Sequence, residues 1–176
     1  MLRLPALFAA SLAVPALAAI AEPAGVAPPL RVLPDEAPAF VLTADGVQVY
    51  QCQAVPADSN AYAWFLVAPD ATLSDGTGTV ARLASPDHWN SLHDLSGVSA
   101  VPLRMQPAGS ANLPWELLHA VPDGSPGMFA GVTSIQRVNT RGGAAPTAGC
   151  DETHVGDEAR VAFTADYYFY KSTATG

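Results

Sequence analysis

The sequence predicts an all-β, single-domain protein: an antiparallel barrel or two-sheet sandwich of about eight or nine strands, with at most short helices. Three observations predict this. Short runs of β-branched and aromatic residues recur between clusters of Gly, Pro, Asp, Asn and Ser. No stretch keeps a 3.6-residue apolar stripe for three turns, so any helix is short, with residues 87–95 the best place for one. The chain also holds only two cysteines, Cys52 and Cys150, behind a leader-like N-terminus, a pattern suited to one bridge in an oxidising compartment.

Residues 1–21 read as a signal peptide, with Arg3 followed by an uncharged run rich in Leu and Ala. Small residues permit cleavage after Ala18 or Ala21, and Ala21 is favoured. The run is short for a bilayer-spanning helix and contains Pro5 and Pro15, so no membrane span is expected after processing. The product is therefore expected to be periplasmic or secreted. Removal of Arg3 leaves seven basic against sixteen acidic residues, a net charge of −9. The basic residues are scattered along the chain, which argues against nucleic acid as a partner.

Residues 22–38 form a Pro- and Ala-rich extended lead-in, since Pro23, Pro28, Pro29, Pro34 and Pro38 lack ladder donors. The single β domain spans residues 39–172. Its first element reads as a hairpin over residues 40–52, turning at Asp45-Gly46. Residues 61–68, with Tyr62, Trp64, Phe65, Leu66 and Val67, carry apolar side chains on both parities and predict a strand covered on both faces and ended by Pro69-Asp70. Further strands are expected at 79–83, 98–105, 115–121 and 128–140. The last, 160–171, places Val161, Phe163, Ala165, Tyr167 and Phe169 on the core side. With two cysteines the connectivity is forced. Closing so long a loop stabilises the fold by roughly 4 to 5 kcal/mol at most.

No motif for catalysis stands out. A hydrolase would need a nucleophile on a sharp turn, but no Gly-x-Ser-x-Gly is present, and Gly124-Ser125-Pro126-Gly127 is explained as a turn. A metal-assisted site has weak candidates in His88 and His93 with Asp87 and Asp94, but residues five apart converge on neither a strand nor a helix, and a solvated loop explains them. The acidic run Asp151, Glu152, Asp157 and Glu158 reads as a solubilising loop. No cofactor is expected, and the reading leans away from an enzyme.

Residues 132–143 mix polar and apolar side chains on both parities, as expected of a strand lining a polar cavity. A half-buried Arg137 needs a counter-charge, and Asp166 is the structural partner favoured over a ligand. Gln136, Arg137, Asn139, Trp115 and Tyr168 are the candidate ligand-binding residues, although Trp115, with Leu113, Leu117 and Leu118 around it, is read first as core. The leading reading is a binding module for a small ligand or envelope component. A small secreted hydrolase or metal-assisted enzyme, and a structural envelope protein, are the alternatives.

Several separate stretches together resemble one family: Gly46 to Cys52; Pro114-Trp115 with Leu117-Leu118; Val132-Thr133, Ile135 to Thr140 and Gly142 to Pro146; Cys150; and Tyr167-Tyr168-Phe169-Tyr170. They look like the secreted bacterial and fungal proteins grouped as domain of unknown function family 3455 (DUF3455). The family pattern has a His shortly followed by Gly-Pro and Trp. Here Arg82-Leu83-Ala84-Ser85-Pro86-Asp87-His88-Trp89 occupies that stretch without the expected His or Gly, which puts any function of that His in doubt unless His88 replaces it. The resemblance implies an exported globular domain with a paired cysteine bridge, and no established activity.

Overall fold

In the structure, a computed structural model, residues 19–174 are described. Most of the leader expected over 1–21 lies outside them. Eight strands follow in chain order: β1 (Glu36–Val55), β2 (Asp58–Ser74), β3 (Thr79–Ser85), β4 (His88–Ser91), β5 (Gly97–Gln106), β6 (Trp115–Pro122), β7 (Val132–Gly142) and β8 (Glu158–Ser172). Each is antiparallel to the next, and β8 returns to β1, so the sheet closes into an up-and-down barrel. Closure decides between the two architectures the sequence left open, and it leaves β1 no free edge. Among the described residues, two 3₁₀ turns, Pro28–Leu30 and Glu152–His154, interrupt the strands and loops.

The strand boundaries correct the sequence reading in four places. Asp45-Gly46 is not a turn: β1 runs straight through it, pairing Asp45 with Thr72 and Gly46 with Ala71. A Cβ on Gly46 would stand 2.2 Å from the Asp70 carbonyl oxygen, so the glycine serves close approach of two backbones. Residues 61–68 are a strand but not one covered on both faces, because Leu66 and Val67 are about half exposed, and β2 continues through Pro69 to Ser74. The segment 87–95 contains no helix; β4 occupies its start. Residues 128–131 form a turn that drops Phe129 into the core before β7 begins.

A period of two sets the interior, as expected for a strand with one face inward. Leu42 and Ala44 from β1, Leu118 and Ala120 from β6, and Phe163, Ala165, Tyr167 and Phe169 from β8 belong to one buried cluster. Phe40 stacks on Phe169 at 4.7 Å, and Trp89 meets Tyr167 edge-on at 5.4 Å. Ring pairs of this kind add about 0.5 to 1.5 kcal/mol beyond their burial.

The lead-in packs on the outside of the barrel, its 3₁₀ turn against β5 and β6. Leu30 is buried there, and its carbonyl accepts from Gln136 Nε2 at 2.5 Å. Cys52, near the end of β1, is bridged to Cys150 in the loop before β8. Backbone bonds from Cys52 N to Asp157 O and from Gly156 N to Cys52 O hold the same loop against β1. The acidic run is thereby folded, with Asp151 capping the turn at Thr153 and His154.

Candidate functional site

The register of three adjacent strands assembles a polar row inside the barrel. Glu116 on β6 lies opposite Arg137 on β7, and Arg137 lies opposite Tyr167 on β8. Leu118, Ile135 and Phe169 form the next inward row and are wholly apolar. The barrel interior therefore changes character within one row, from hydrocarbon to charge. Arg137 places Nη2 2.7 Å from Glu116 Oε2 and donates from Nε to the Pro114 carbonyl at 3.1 Å.

Above that row the interior opens into a cup of about 230 Å³. Its polar lining is Gln48, Asp87, Glu116, Arg137 and Tyr167; Leu66, Pro69, Leu83, Pro86, Leu113 and Pro114 complete the wall. An eight-stranded barrel is just wide enough to be filled by side chains or to hold one small ligand. Here side chains fill the lower layer and the upper layer is left open.

Each polar member arrives by a different local rule. Gln48 continues the inward parity of Leu42, Ala44 and Gly46 along β1 and is 3% exposed. Its side-chain oxygen is buried without a hydrogen-bond partner among the described residues. Asp87 sits in the β3–β4 turn with φ of 51°, a left-handed conformation that Asp and Asn tolerate better than most residues. The Asp87 carbonyl accepts from Ala100 N at 2.8 Å, which fixes the turn over the barrel mouth. The Asp87 carboxylate takes part in none of the ion pairs among the described residues.

Burial pushes the Asp87 carboxyl above its ordinary range, with Arg137 opposing. Glu116 is also raised by burial, Arg137 pulling it down and Asp87 adding to the rise. Burial works against the Arg137 charge, but Tyr167, Glu116 and Asp87 outweigh it, so the guanidinium is held protonated. Burial likewise raises the Tyr167 phenol. One cation faces two carboxylates, leaving the ionised cup with a net charge of −1.

The ligand-binding candidates read from the sequence do not converge. Arg137 alone lines the cup, and its partner is Glu116, not Asp166. Asp166 has the opposite parity on β8 and accepts from Thr43 Oγ1 and Asn139 Nδ2, each at 2.9 Å. Trp115 is half-buried outside the core cluster and lines a separate depression of about 430 Å³ with Asn139, Gln106 and Arg141. Gln136 is closed in beneath the lead-in, and Tyr168 lies across from it on the outer face of β8.

The metal candidates are dispersed as well. His88 hydrogen-bonds with Ser99 and Asn90, and His93 is exposed. The Asp94 carboxylate accepts from Ser96 and from the Met128 backbone, tying the loop before β5 to the turn before β7. Among the described residues, no three His, Cys, Asp or Glu side chains gather as a metal would need.

Gln48, Glu116 and Tyr167 were not singled out from the sequence as site residues. The signal available was a polar residue on an otherwise apolar parity: Gln48 after Leu42 and Ala44, and Glu116 before Leu118 and Ala120. Residues 82–89, where the chain departs from the family pattern, supply Leu83, Pro86 and Asp87 to the cup and Trp89 to the packing behind Tyr167.

No helix among the described residues is long and apolar enough to cross a membrane, and with the disulfide this is compatible with an extracellular location. No curated protein and no solved structure matches the chain. A family model described as "Protein of unknown function (DUF3455)" matches residues 34–110 and 84–171. The matched span takes in residues from every strand of the barrel and all the residues lining the cup, and the chain belongs to the DUF3455 family.

Proposed function

We propose that this protein is an exported binding module that takes a small ligand into the cup at the barrel mouth. Export rests on the leader reading of residues 1–21 and agrees with the Cys52–Cys150 bridge. The observation that carries the binding reading is Gln48, whose side chain lines the cup while its amide oxygen is buried and unpaired among the described residues. Leaving such a group unsatisfied costs about 1 to 3 kcal/mol, a cost relieved when a ligand or water supplies the missing bond. The rest of the wall is mostly apolar with a few convergent polar groups, the usual composition of a small-molecule site. At about 230 Å³ the cup is smaller than the roughly 300 to 1,000 Å³ of drug-sized sites, so its ligand is compact. The histidine-centred hydrolytic alternative has less support, because neither His88 nor His93 lines the cup.

The test is amide chemical-shift mapping of the processed protein against a panel of fragment-sized compounds, repeated on Leu66→Trp. Leu66 stands at the rim and is 48% exposed, so a larger ring narrows the entrance at little cost to the fold. Shifts centred on Gln48, Asp87 and Arg137 that vanish in the variant are expected. A panel that leaves those residues unmoved would overturn the reading.

A further inference from the structure

We propose that the cup selects an organic ammonium ion with a short apolar body. This deepens the binding reading above and rests on it.

The inference follows from which groups in the cup are already committed. Arg137, the sole cation there, is engaged by Glu116 and by the Pro114 carbonyl, so most of its attraction for an incoming anion is spent. The Asp87 carboxylate is half-buried, faces the same space and enters no ion pair among the described residues. Gln48 supplies a buried amide with its oxygen unpaired. The net charge of −1 is thus a deficit of one positive charge, carried by a group with room in front of it.

A small cation supplies the missing charge and hydrogen-bond donors for the Asp87 carboxylate. In a recess with reduced dielectric the attraction exceeds its value in bulk water. A metal ion fits poorly, because the cup offers two carboxylates and no third His, Cys, Asp or Glu. Leu66, Pro69, Leu83, Pro86, Leu113 and Pro114 instead provide hydrocarbon for an alkyl or aryl group.

One carbon skeleton in three charge states tests this: n-butylammonium, n-butanol and butyrate at neutral pH, titrated by amide chemical shift. Butylammonium is expected to move Gln48, Asp87, Glu116 and Arg137 and to bind about tenfold more tightly than butanol, with butyrate weakest. In Asp87→Asn, which keeps a residue tolerant of the left-handed backbone, that preference is expected to fall to near unity.

Butanol or butyrate binding in the cup as well as butylammonium overturns the charge selection while leaving a binding site in place. An undiminished preference in Asp87→Asn overturns it too. Silence of all three probes at those amides overturns both the selection and the binding reading.

Discussion

The two faces of β7 bury polar side chains in opposite ways. On the outer face the Gln136 amide is closed on both sides, donating to the Leu30 carbonyl and accepting from the Tyr170 hydroxyl, each at 2.5 Å. Ser134 beside it donates to the Glu36 carboxylate at 2.9 Å. On the inner face Arg137 is paired with Glu116, yet next to them the Gln48 oxygen is buried without a partner and the Asp87 carboxylate enters no ion pair among the described residues. The satisfied face serves as structural glue between lead-in and barrel. The unsatisfied face is the one on which the proposed ligand would act.

The largest effect is expected from breaking the inner pair on one side. Arg137→Ala leaves the Glu116 carboxylate buried and unpaired, and a loss of about 3 to 5 kcal/mol is expected from urea unfolding. The double variant Arg137→Met with Glu116→Leu removes both charges and should recover most of that loss. A double variant no more stable than Arg137→Ala would show that the pair itself, not the orphaned charge, holds this end of the barrel.

Breaking the outer face should cost less. Tyr170→Phe deletes one neutral hydrogen bond and leaves Gln136 Oε1 buried, for about 1 to 3 kcal/mol in the same assay. It should leave ligand-induced shifts at Gln48 unchanged, because the two groups lie on opposite faces. Coupling between them would blur the division between glue and site.

The smallest stability effect has the opposite sign. Burial raises the Asp87 carboxyl above its ordinary 3.8, so the native chain binds that proton more tightly than the unfolded chain does. Its contribution therefore becomes unfavourable as pH rises from 3.8 through the folded value, and stays so above it. Asp87→Asn is expected to gain a few tenths of a kcal/mol at most at pH 7, because the half-exposed carboxylate is screened by solvent, with the gain closing as pH falls below 3.8. Unfolding curves at pH 7 and pH 3 check this, and a variant less stable at pH 7 would remove Asp87 from the unsatisfied face.

Much of the barrel could be read in advance. The inward parity of β8 holds from Phe163 to Phe169, and the strands at 79–83, 98–105 and 115–121 lie within β3, β5 and β6. Misreadings arose where one residue type serves two purposes. Gly46 permits a turn or a close crossing, and only its neighbours Asp70 and Ala71 distinguish these. Asp166 and Glu116 are equally plausible partners for Arg137 by charge. Asp166 pairs with Val138, one step from the Arg137–Tyr167 pair, and the alternation of faces sends it outward to Thr43 and Asn139.

By itself the sequence determined the all-β class, the forced pairing of Cys52 with Cys150, and the apolar parity of the last strand, because each depends on local periodicity or on simple counting. Tertiary structure alone decided that the sheet closes and that Glu116, Arg137 and Tyr167 share one row above a hydrocarbon layer. These residues stand 21 and 30 positions apart in sequence. Cross-strand neighbours are fixed by register, and register follows from the closure of all eight strands together.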